Sequence, residues 1–354
     1  MKHVLIKGCP NSVKNMLVWM LFAACMPVQH ILCASVATHT VIVPVTNVVS
    51  TRVEYNRPAP VGTSEAPHLL AQLNYNEQVT ELETKEEWSR VKVDSVYVCS
   101  REKECRALHG WVKSEHISDK PNKKLCQQSC TTLTCVAPWT PVYVRASAHP
   151  HRFQLHTKFS YATKLQGLAK EDEWWRVLLA DGNEAWVPAP CVMIDGPVSE
   201  ADMRAQIVAH ARQFLGCPYC WGGCSAHDPS ETSALTGFDC SGLVYKLFQV
   251  AGKSVPRNSR SQFFFAVPCK PAELEAGDLI FRSEPAVSPH VSHVMLYTGE
   301  GTIIEAWAAR ADNGSMNVQP IHEISVEEKI GKSLDLLTYS EQVGRYVFYT
   351  GKVI

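Results

Sequence analysis

The chain has 354 residues, 45% of them hydrophobic, which predicts a globular protein of two or three domains. Its 34 Lys and Arg residues nearly balance its 35 Asp and Glu residues, so the formal net charge is −1. This balance excludes the basic surface that is typical of nucleic-acid-binding proteins, and it excludes an acidic tail.

The first 37 residues have the pattern of an export signal. Three lysines lie before residue 15, an uncharged run covers residues 16–28, and small residues end at Ala37, where we expect cleavage. The run contains Pro27 and is short for a bilayer span, so no transmembrane anchor is expected. A lipid anchor at Cys25 is the alternative, because the residues before it resemble a lipoprotein cleavage site. The segment predicts an exported protein of the periplasm or cell envelope.

Two stretches, residues 38–118 and 138–197, are predicted to be small all-β barrels. Each contains short segments rich in Val and aromatic residues that are separated by turn residues. Matching places in the two stretches are occupied by pairs of tryptophans: Trp88 with Trp111, and Trp175 with Trp186. The sequence therefore predicts a duplicated domain.

Cysteines are frequent in and around these stretches, and their total of 14 favours an oxidising compartment. Residues 119–137 are predicted to be a linker rich in Cys and Lys. Cys99 and Cys105 flank a charged tip, which indicates a hairpin closed by a disulfide. Without the signal segment and Cys240, ten cysteines remain that can pair, in a pattern that the sequence does not define.

Residues 198–354 are predicted to form an α+β domain in which helices precede an antiparallel sheet. The capping box 199–202 begins the first helix. A second helix begins at Cys240, shows apolar residues at helical spacing, and ends at Gly252. The predicted strands that follow are residues 278–281, 293–297, 302–307 and 345–349.

Cys240 is the candidate nucleophile, because the free N–H groups and the positive dipole end of a helix N-terminus stabilise a thiolate. A cysteine nucleophile needs a base. His293 is the candidate base, since a strand positions a catalytic group tightly. His290, expected in the preceding loop, is the alternative base, and a buried structural cysteine is the non-catalytic alternative for Cys240.

Glu305 is the candidate partner of His293. A turn centred on Gly299 would pair residue 297 with residue 301, and residue 293 with residue 305 on the same face of the sheet. The carboxylate would then bind one imidazole nitrogen and leave the other for Cys240. A loop one residue longer would place Glu305 on the opposite face.

Five ordered segments resemble the NlpC/P60 cysteine peptidases. They are PYCWGG at 218–223, GFDCSGLV at 237–244, PRNSRSQ at 256–262, AGDLIF at 276–281 and HVMLYTG at 293–299. The two all-β stretches resemble bacterial SH3-like domains, as in γ-D-glutamyl-L-diamino-acid endopeptidases. The resemblance implies an α+β fold, with a papain-like NlpC/P60 catalytic domain preceded by two SH3-like barrels.

The resemblance also implies a reaction: hydrolysis of the bond between γ-D-Glu and the diamino acid, diaminopimelate, in peptidoglycan stem peptides or muropeptides. It implies no cofactor. Cys240 would attack, His293 would act as the base, and Glu305 occupies a position that is often His in this family. Tyr219, with the Cys240 N–H, would bind the oxyanion.

Further residues match family positions that hold the amine of a free N-terminal L-Ala. They are Asp239, Ser241, Ser259, and Asn258, the last of which is often Asp in the relatives. Because Asn258 and Glu305 depart from the family pattern, a non-catalytic cell-wall-binding protein is one alternative function. An amidase or acyltransferase on the same fold is another.

A zinc site is an alternative for three cysteines in the loop before the Cys240 helix. Cys217, Cys220 and Cys224, with His227, have part of the required spacing. A second C-x-x-C pair is missing, so we predict no metal and favour a disulfide or buried thiols.

Overall fold

The computed structural model describes residues 38–52, 69–120, 130–146, 149–226, 236–284, 290–310, 316–334 and 338–354. The predicted export segment, with Cys25, lies outside the described residues, as does His227. Within the described ranges, none of the helices has the length and apolar character needed to cross a bilayer.

The first all-β unit, called module 1 below, is an antiparallel sheet with the strand order β3-β2-β6-β5-β4-β1-β7. Its strands are β1 (Thr38–Val41), β2 (Val45–Val49), β3 (Leu69–Asn74), β4 (Gln78–Lys85), β5 (Trp88–Cys99), β6 (Cys105–Lys113) and β7 (Ile117–Ser118). Valines on alternating strand positions form its core, since Val91 and Val93 are fully buried.

The second all-β unit, module 2, has the same order in its own strands, β10-β9-β13-β12-β11-β8-β14. They are β8 (Thr131–Cys135), β9 (Trp139–Ala146), β10 (His149–Ser160), β11 (Lys164–Glu171), β12 (Trp174–Leu178), β13 (Glu184–Pro188) and β14 (Val192–Ile194). The shared order is that expected of a duplicated domain. The pairings among described residues run as an open path in each module, so the SH3-like barrels stay a prediction.

Two details of the modules differ from the prediction. Trp111 lies opposite Arg90, and Trp186 lies opposite Arg176. The counterpart of Trp88 is therefore Trp174, which also begins its strand, rather than Trp175. In addition, residues 131–135 form strand β8, so part of the predicted 119–137 linker belongs to module 2.

Three helices of the C-terminal domain precede its main sheet, as predicted, and a fourth, short helix lies between two of its strands. Its helices are α1 (Glu200–Arg212), α2 (Cys240–Val250), α3 (Ser259–Phe265) and α4 (Val326–Ile330). Its main strands are β17 (Val267–Pro268), β18 (Leu279–Glu284), β19 (His290–Tyr297), β20 (Thr302–Arg310), β21 (Met316–Ser325), β22 (Ser340–Val343) and β23 (Tyr346–Lys352); β15 (Cys224–Ser225) and β16 (Gly237–Phe238) pair separately. The main sheet has the order β17-β23-β18-β19-β20-β21, with β22 on β23.

Alternate residues of β19 belong to two different apolar clusters, one on each face of the sheet. Val294 and Leu296 belong to the cluster that contains the buried side of α2. Met295 belongs to the cluster that contains Val326 and Ile330 of α4. Helix α2 therefore packs on one face and α4 on the other, with β19 between them.

Module 1 packs against the C-terminal domain through buried polar contacts. Lys246 of α2 is 1% exposed and forms an ion pair with Glu77 at 2.9 Å. Gln72 of β3 accepts hydrogen bonds through its side-chain oxygen from the Cys224 N–H at 3.0 Å and the Ser225 hydroxyl at 2.8 Å. These contacts fix the loop that carries the PYCWGG segment.

The predicted disulfide between Cys99 and Cys105 is confirmed, and it joins the ends of β5 and β6. The Ser261 hydroxyl of α3 accepts from the Cys99 N–H and donates to the Cys99 carbonyl, both at 2.9 Å. The eight other described cysteines have free thiols, so the wider pairing allowed by the cysteine count is not found among the described residues.

Gly222 should be the glycine most sensitive to substitution at this interface. Its φ is +76°, and an added Cβ would lie 2.3 Å from the Leu69 carbonyl oxygen of module 1. We expect Gly222→Ala to lower the free energy of unfolding by about 1–2 kcal/mol through left-handed backbone strain. A further loss is expected because the added Cβ would push the loop and module 1 apart.

The matched control is Gly252→Ala, since Gly252 has a φ of +75° and open space around an added Cβ. Denaturant unfolding of both variants should show a clearly larger loss of unfolding free energy for Gly222→Ala. Equal losses would mean that the contact with Leu69 does not constrain the loop.

Candidate active site

Cys240 is the first residue of α2, as the sequence predicts. The Asp239 side chain caps the helix by accepting a hydrogen bond from the Gly242 N–H at 2.6 Å. The Cys240 residue is 8% exposed, and its sulfur accepts hydrogen bonds from the backbone N–H groups of Val294 and Ser241. The contact with Val294 places the sulfur beside β19, next to the residue that follows His293.

His293 and Glu305 lie in direct contact. Nε2 of His293 is 2.5 Å from Oε2 of Glu305, and the two residues are 3% and 1% exposed. His290 also belongs to β19, as its first residue, rather than to the preceding loop, but it is exposed. The buried, carboxylate-bound imidazole is therefore His293.

The hairpin that joins these residues has a register different from the predicted one. Tyr297 pairs with Ile303, not with residue 301, and Leu296 pairs with Ile304. The prediction is wrong by two residues, and a shift of two keeps every side chain on its face. Glu305 therefore stays on the face of His293 and contacts it diagonally across the strands.

Strand β19 has a β-bulge directly before His293. Arg282 pairs with His293 while Ser283 pairs with Val291, so one residue of β19 is extra. Bulges re-aim side chains and are frequent beside active sites.

Among the contacts described for Cys240 and His293, none joins the sulfur to the ring directly. Catalytic hydrogen bonds are often long before substrate binds.

The protonation equilibria differ from the predicted stabilised thiolate. Burial, together with the charge of Asp239, raises the pKa of the Cys240 thiol to about 12. Burial also lowers the pKa of His293, although Glu305 opposes that effect. Both shifts favour the uncharged forms at rest, a thiol at Cys240 and a neutral imidazole at His293, because desolvation of the sulfur outweighs the first-turn N–H groups.

Tyr219 lies beside the nucleophile. It forms a bridge with Phe238, two residues before Cys240. Burial and the charges of Cys240 and Asp239 raise the pKa of Tyr219 well above its usual value, so the hydroxyl keeps its proton and remains a donor. This is the property that an oxyanion-binding group requires.

Asp239 and Ser241 are occupied by other contacts. The Arg257 guanidinium binds both carboxylate oxygens of Asp239, at 3.0 and 2.9 Å, and it also donates to the Ser241 hydroxyl at 3.2 Å. That hydroxyl and the Gly222 N–H donate to the same carboxylate, each at 3.0 Å. Asp239 and Ser241 are thus held in a network with Arg257, and their binding of a substrate amine stays a prediction.

Asn258 and Ser259 lie at the start of α3. The Asn258 side-chain oxygen caps this helix by accepting from the Ser261 N–H at 2.8 Å. Ser259 is 8% exposed as the first helical residue. Asn258 therefore has a local structural role, which an Asp at the same position would also perform.

The three cysteines of the possible zinc site are near one another, since Cys217 and Cys224 both influence the pKa of Cys220. Within the described part of the chain, no cluster of His, Cys, Asp or Glu has an arrangement suited to a metal ion.

Comparison with known proteins assigns the chain to a family. The NlpC/P60 family model matches residues 216–329. A probable endopeptidase of Corynebacterium glutamicum is 32% identical over 156 residues, which cover 40% of this chain and 68% of that relative. The chain belongs to the NlpC/P60 family.

The similarity to other NlpC/P60 proteins extends into the all-β modules. A γ-D-glutamyl-L-lysine dipeptidyl-peptidase of Bacillus cereus is 26% identical over 248 residues, covering 69% of this chain and 68% of the relative. The crystal structure of an NlpC/P60 family protein from Bacillus cereus covers 80% of this chain and 94% of its own, with a TM-score of 0.61 and 23% identity. This likeness shows the NlpC/P60 fold.

Three charged or titratable residues of the candidate site were not predicted from the sequence. Arg257, inside the PRNSRSQ segment, was not assigned a role although it binds Asp239. Lys329 of α4 contacts Oε1 of Glu305, and Nε2 of His322 lies 3.3 Å from the same oxygen. A short helix at the end of β21 gives no periodic signal that would have indicated Lys329.

Glu305→Gln should change the pH dependence of any reaction that uses His293 as the base. Glu305 raises the pKa of His293 against the effect of burial, so the variant should lower that pKa further. Only neutral imidazole accepts a proton, and the acid limb of kcat/KM should therefore move to lower pH. The rate at neutral pH should fall by about 10²-fold, because the imidazolium formed in the transition state loses its carboxylate.

Glu300→Gln is the matched control for this pH profile. Glu300 lies at the tip of the same hairpin and binds Arg212 at the surface. Its replacement should leave both the acid limb and the rate unchanged. An acid limb of Glu305→Gln at higher pH than in the wild type would contradict the assigned role of the carboxylate.

Proposed function

We propose that this protein is a cysteine peptidase that cleaves the bond between γ-D-Glu and an L-diamino acid in peptidoglycan stem peptides or muropeptides. The observation that supports this most is the buried contact between Glu305 of β20 and His293 of β19, the strand that also contacts the Cys240 sulfur. The related γ-D-glutamyl-L-lysine dipeptidyl-peptidase supports the class of substrate.

The proposed reaction begins with a neutral thiol. Because Nε2 of His293 is bound to Glu305, Nδ1 is the nitrogen that accepts the thiol proton as the sulfur attacks the γ-glutamyl carbonyl. The Cys240 N–H and the Tyr219 hydroxyl would bind the oxyanion. His293 then returns the proton to the leaving amine, and water hydrolyses the acyl-enzyme.

Two substrates separate the possible diamino acids. Purified protein is incubated with L-Ala-γ-D-Glu-L-Lys and, in parallel, with L-Ala-γ-D-Glu-diaminopimelate, and products are identified by mass spectrometry. We expect release of L-Ala-γ-D-Glu from at least one of them. Products carrying the acyl group on an added amine would instead indicate an acyltransferase, and no turnover of either peptide would contradict the peptidase.

The domain organisation and location are part of the same proposal. We infer a signal segment at 1–37, SH3-like domains at 38–118 and about 131–197, and a catalytic domain at 198–354. The identical strand order of the two modules supports the pair of related domains. Action outside the cytoplasm is supported by relatives named peptidoglycan endopeptidases, such as one from Mycobacterium tuberculosis.

A further inference from the structure

The carboxylate bound to His293 is itself held by a buried cation. Oε2 of Glu305 faces Nε2 of His293, and Oε1 faces the Lys329 ammonium. The Glu305 side chain is fully buried and the Lys329 side chain is 14% exposed. Two opposite charges in contact at such a depth form a compensated pair, whereas either one alone would be strongly destabilising.

Helix α4 fixes the position of the ammonium. Ser325 caps this helix, and Val326 and Ile330 anchor it in the apolar cluster under the sheet. Residue 329 is three positions after 326, so its side chain lies on the same side of the helix. The Lys329 Nζ also lies 4.7 Å from the centre of the Trp307 ring, which adds a cation–π contact.

We propose that Lys329 is a positioning residue for the proposed peptidase: its ammonium cancels the charge of Glu305, so the pair acts on His293 as a neutral hydrogen-bond acceptor. The effect of Lys329 on catalysis rests on the proposed function, whereas its effect on the protonation of His293 does not. A neutral Glu305–Lys329 pair would keep the His293 imidazole uncharged at rest, and Glu305 would still orient the ring through Nε2.

The other charged groups near the His293 ring also favour its neutral form. Arg282 of β18 lies opposite His293 in the sheet and lowers its pKa, as Lys329 does. His322 of β21 contacts Glu305, and its own pKa is raised by that hydrogen bond. Cys240 on α2 is a neutral thiol, and Arg260, the titratable residue of α3, is exposed. Glu305 is the only carboxylate among the described groups that act on the ring.

Four proteins vary the charge of the pair in steps. The Glu305–Lys329 pair sums to zero in the wild type and in the double variant Glu305→Gln/Lys329→Met. It sums to −1 in Lys329→Met and to +1 in Glu305→Gln. Methionine keeps most of the apolar stem of lysine against Trp307. The double variant removes both buried charges and is the variant most compatible with folding.

The test is the titration of His293 by NMR on histidine-labelled protein, with the signal assigned by its loss in His293→Gln. We expect the pKa of His293 to rise in Lys329→Met, to fall in Glu305→Gln, and to lie near the wild-type value in the double variant. The acid limb of kcat/KM should move in the same order. Lys329→Arg should restore the wild-type titration.

The control is Lys332→Gln, three residues beyond Lys329, where the lysine pairs with Glu341. It should leave the His293 titration unchanged. An unchanged His293 pKa in Lys329→Met, or a double variant that does not return toward the wild type, would overturn the inference. If Lys329→Met does not fold, the double variant and Lys329→Arg decide the result. The NMR titration needs no turnover, so failure of the peptidase proposal would be seen separately.

Discussion

Replacing Cys240 by alanine should abolish hydrolysis of γ-D-glutamyl peptides, with a loss of at least about 10⁴-fold in kcat. The sulfur at the start of α2 contacts β19 at Val294 and is the atom that would carry the acyl group. The folded state should change little, since the substitution removes one sulfur atom from a helix whose packing uses Leu243, Val244 and Leu247.

Cys269→Ala is the matched control, because Cys269 is also buried, at 8% exposure, and lies outside the site. Its activity should stay close to that of the wild type. Mass spectrometry during turnover should show an acyl adduct on the peptide that contains Cys240. Retained hydrolysis in Cys240→Ala, or an adduct on another residue, would exclude Cys240 as the nucleophile.

Replacing Arg257 by methionine should have the largest effect on stability. Arg257 is 3% exposed and is the counter-ion of Asp239, the cap of α2. Breaking a buried ion pair by removing one partner costs about 3–5 kcal/mol, since the remaining charge loses its counter-ion. Arg257 also lowers the pKa of Cys240, so its loss should make the thiol harder to deprotonate and slow the reaction.

Denaturant unfolding of Arg257→Met and Arg257→Met/Asp239→Asn checks this expectation. The double variant should recover much of the lost stability, because Asn is also a good N-cap and leaves no unpaired charge. Arg212→Met is the control: its ion pairs with Glu300 and Glu323 lie at the surface, where about 1 kcal/mol or less is expected. A loss in Arg257→Met no larger than in this control would contradict the buried-pair argument.

The helices and strands of the site could be predicted because periodicity and capping are local properties. Cys240 begins α2, and His293 and Glu305 share a face of one hairpin. The register itself was predicted wrongly by two residues, since loop length depends on turn geometry that composition does not define. The contact formed nevertheless, because side-chain direction in a strand repeats every two residues.

Long-range contacts and burial were beyond the sequence. The ion pair between Asp239 and Arg257, which is eighteen positions later, depends on how the chain between α2 and α3 folds back. The position of Lys329 over Glu305 depends on a helix of five residues, too short to show a pattern. The neutral thiol depends on burial of the sulfur, which a motif does not reveal.

The contact between module 1 and the loop from Gly222 to Ser225 limits how this chain can be rearranged. Gln72 accepts hydrogen bonds from that loop through its side-chain oxygen, and the Leu69 carbonyl leaves no space for a side chain at residue 222. The C-terminal domain is thus not structurally independent of module 1. A recombination event that exchanged module 1 for a foreign fold would remove these contacts and leave the loop without the surface it packs on.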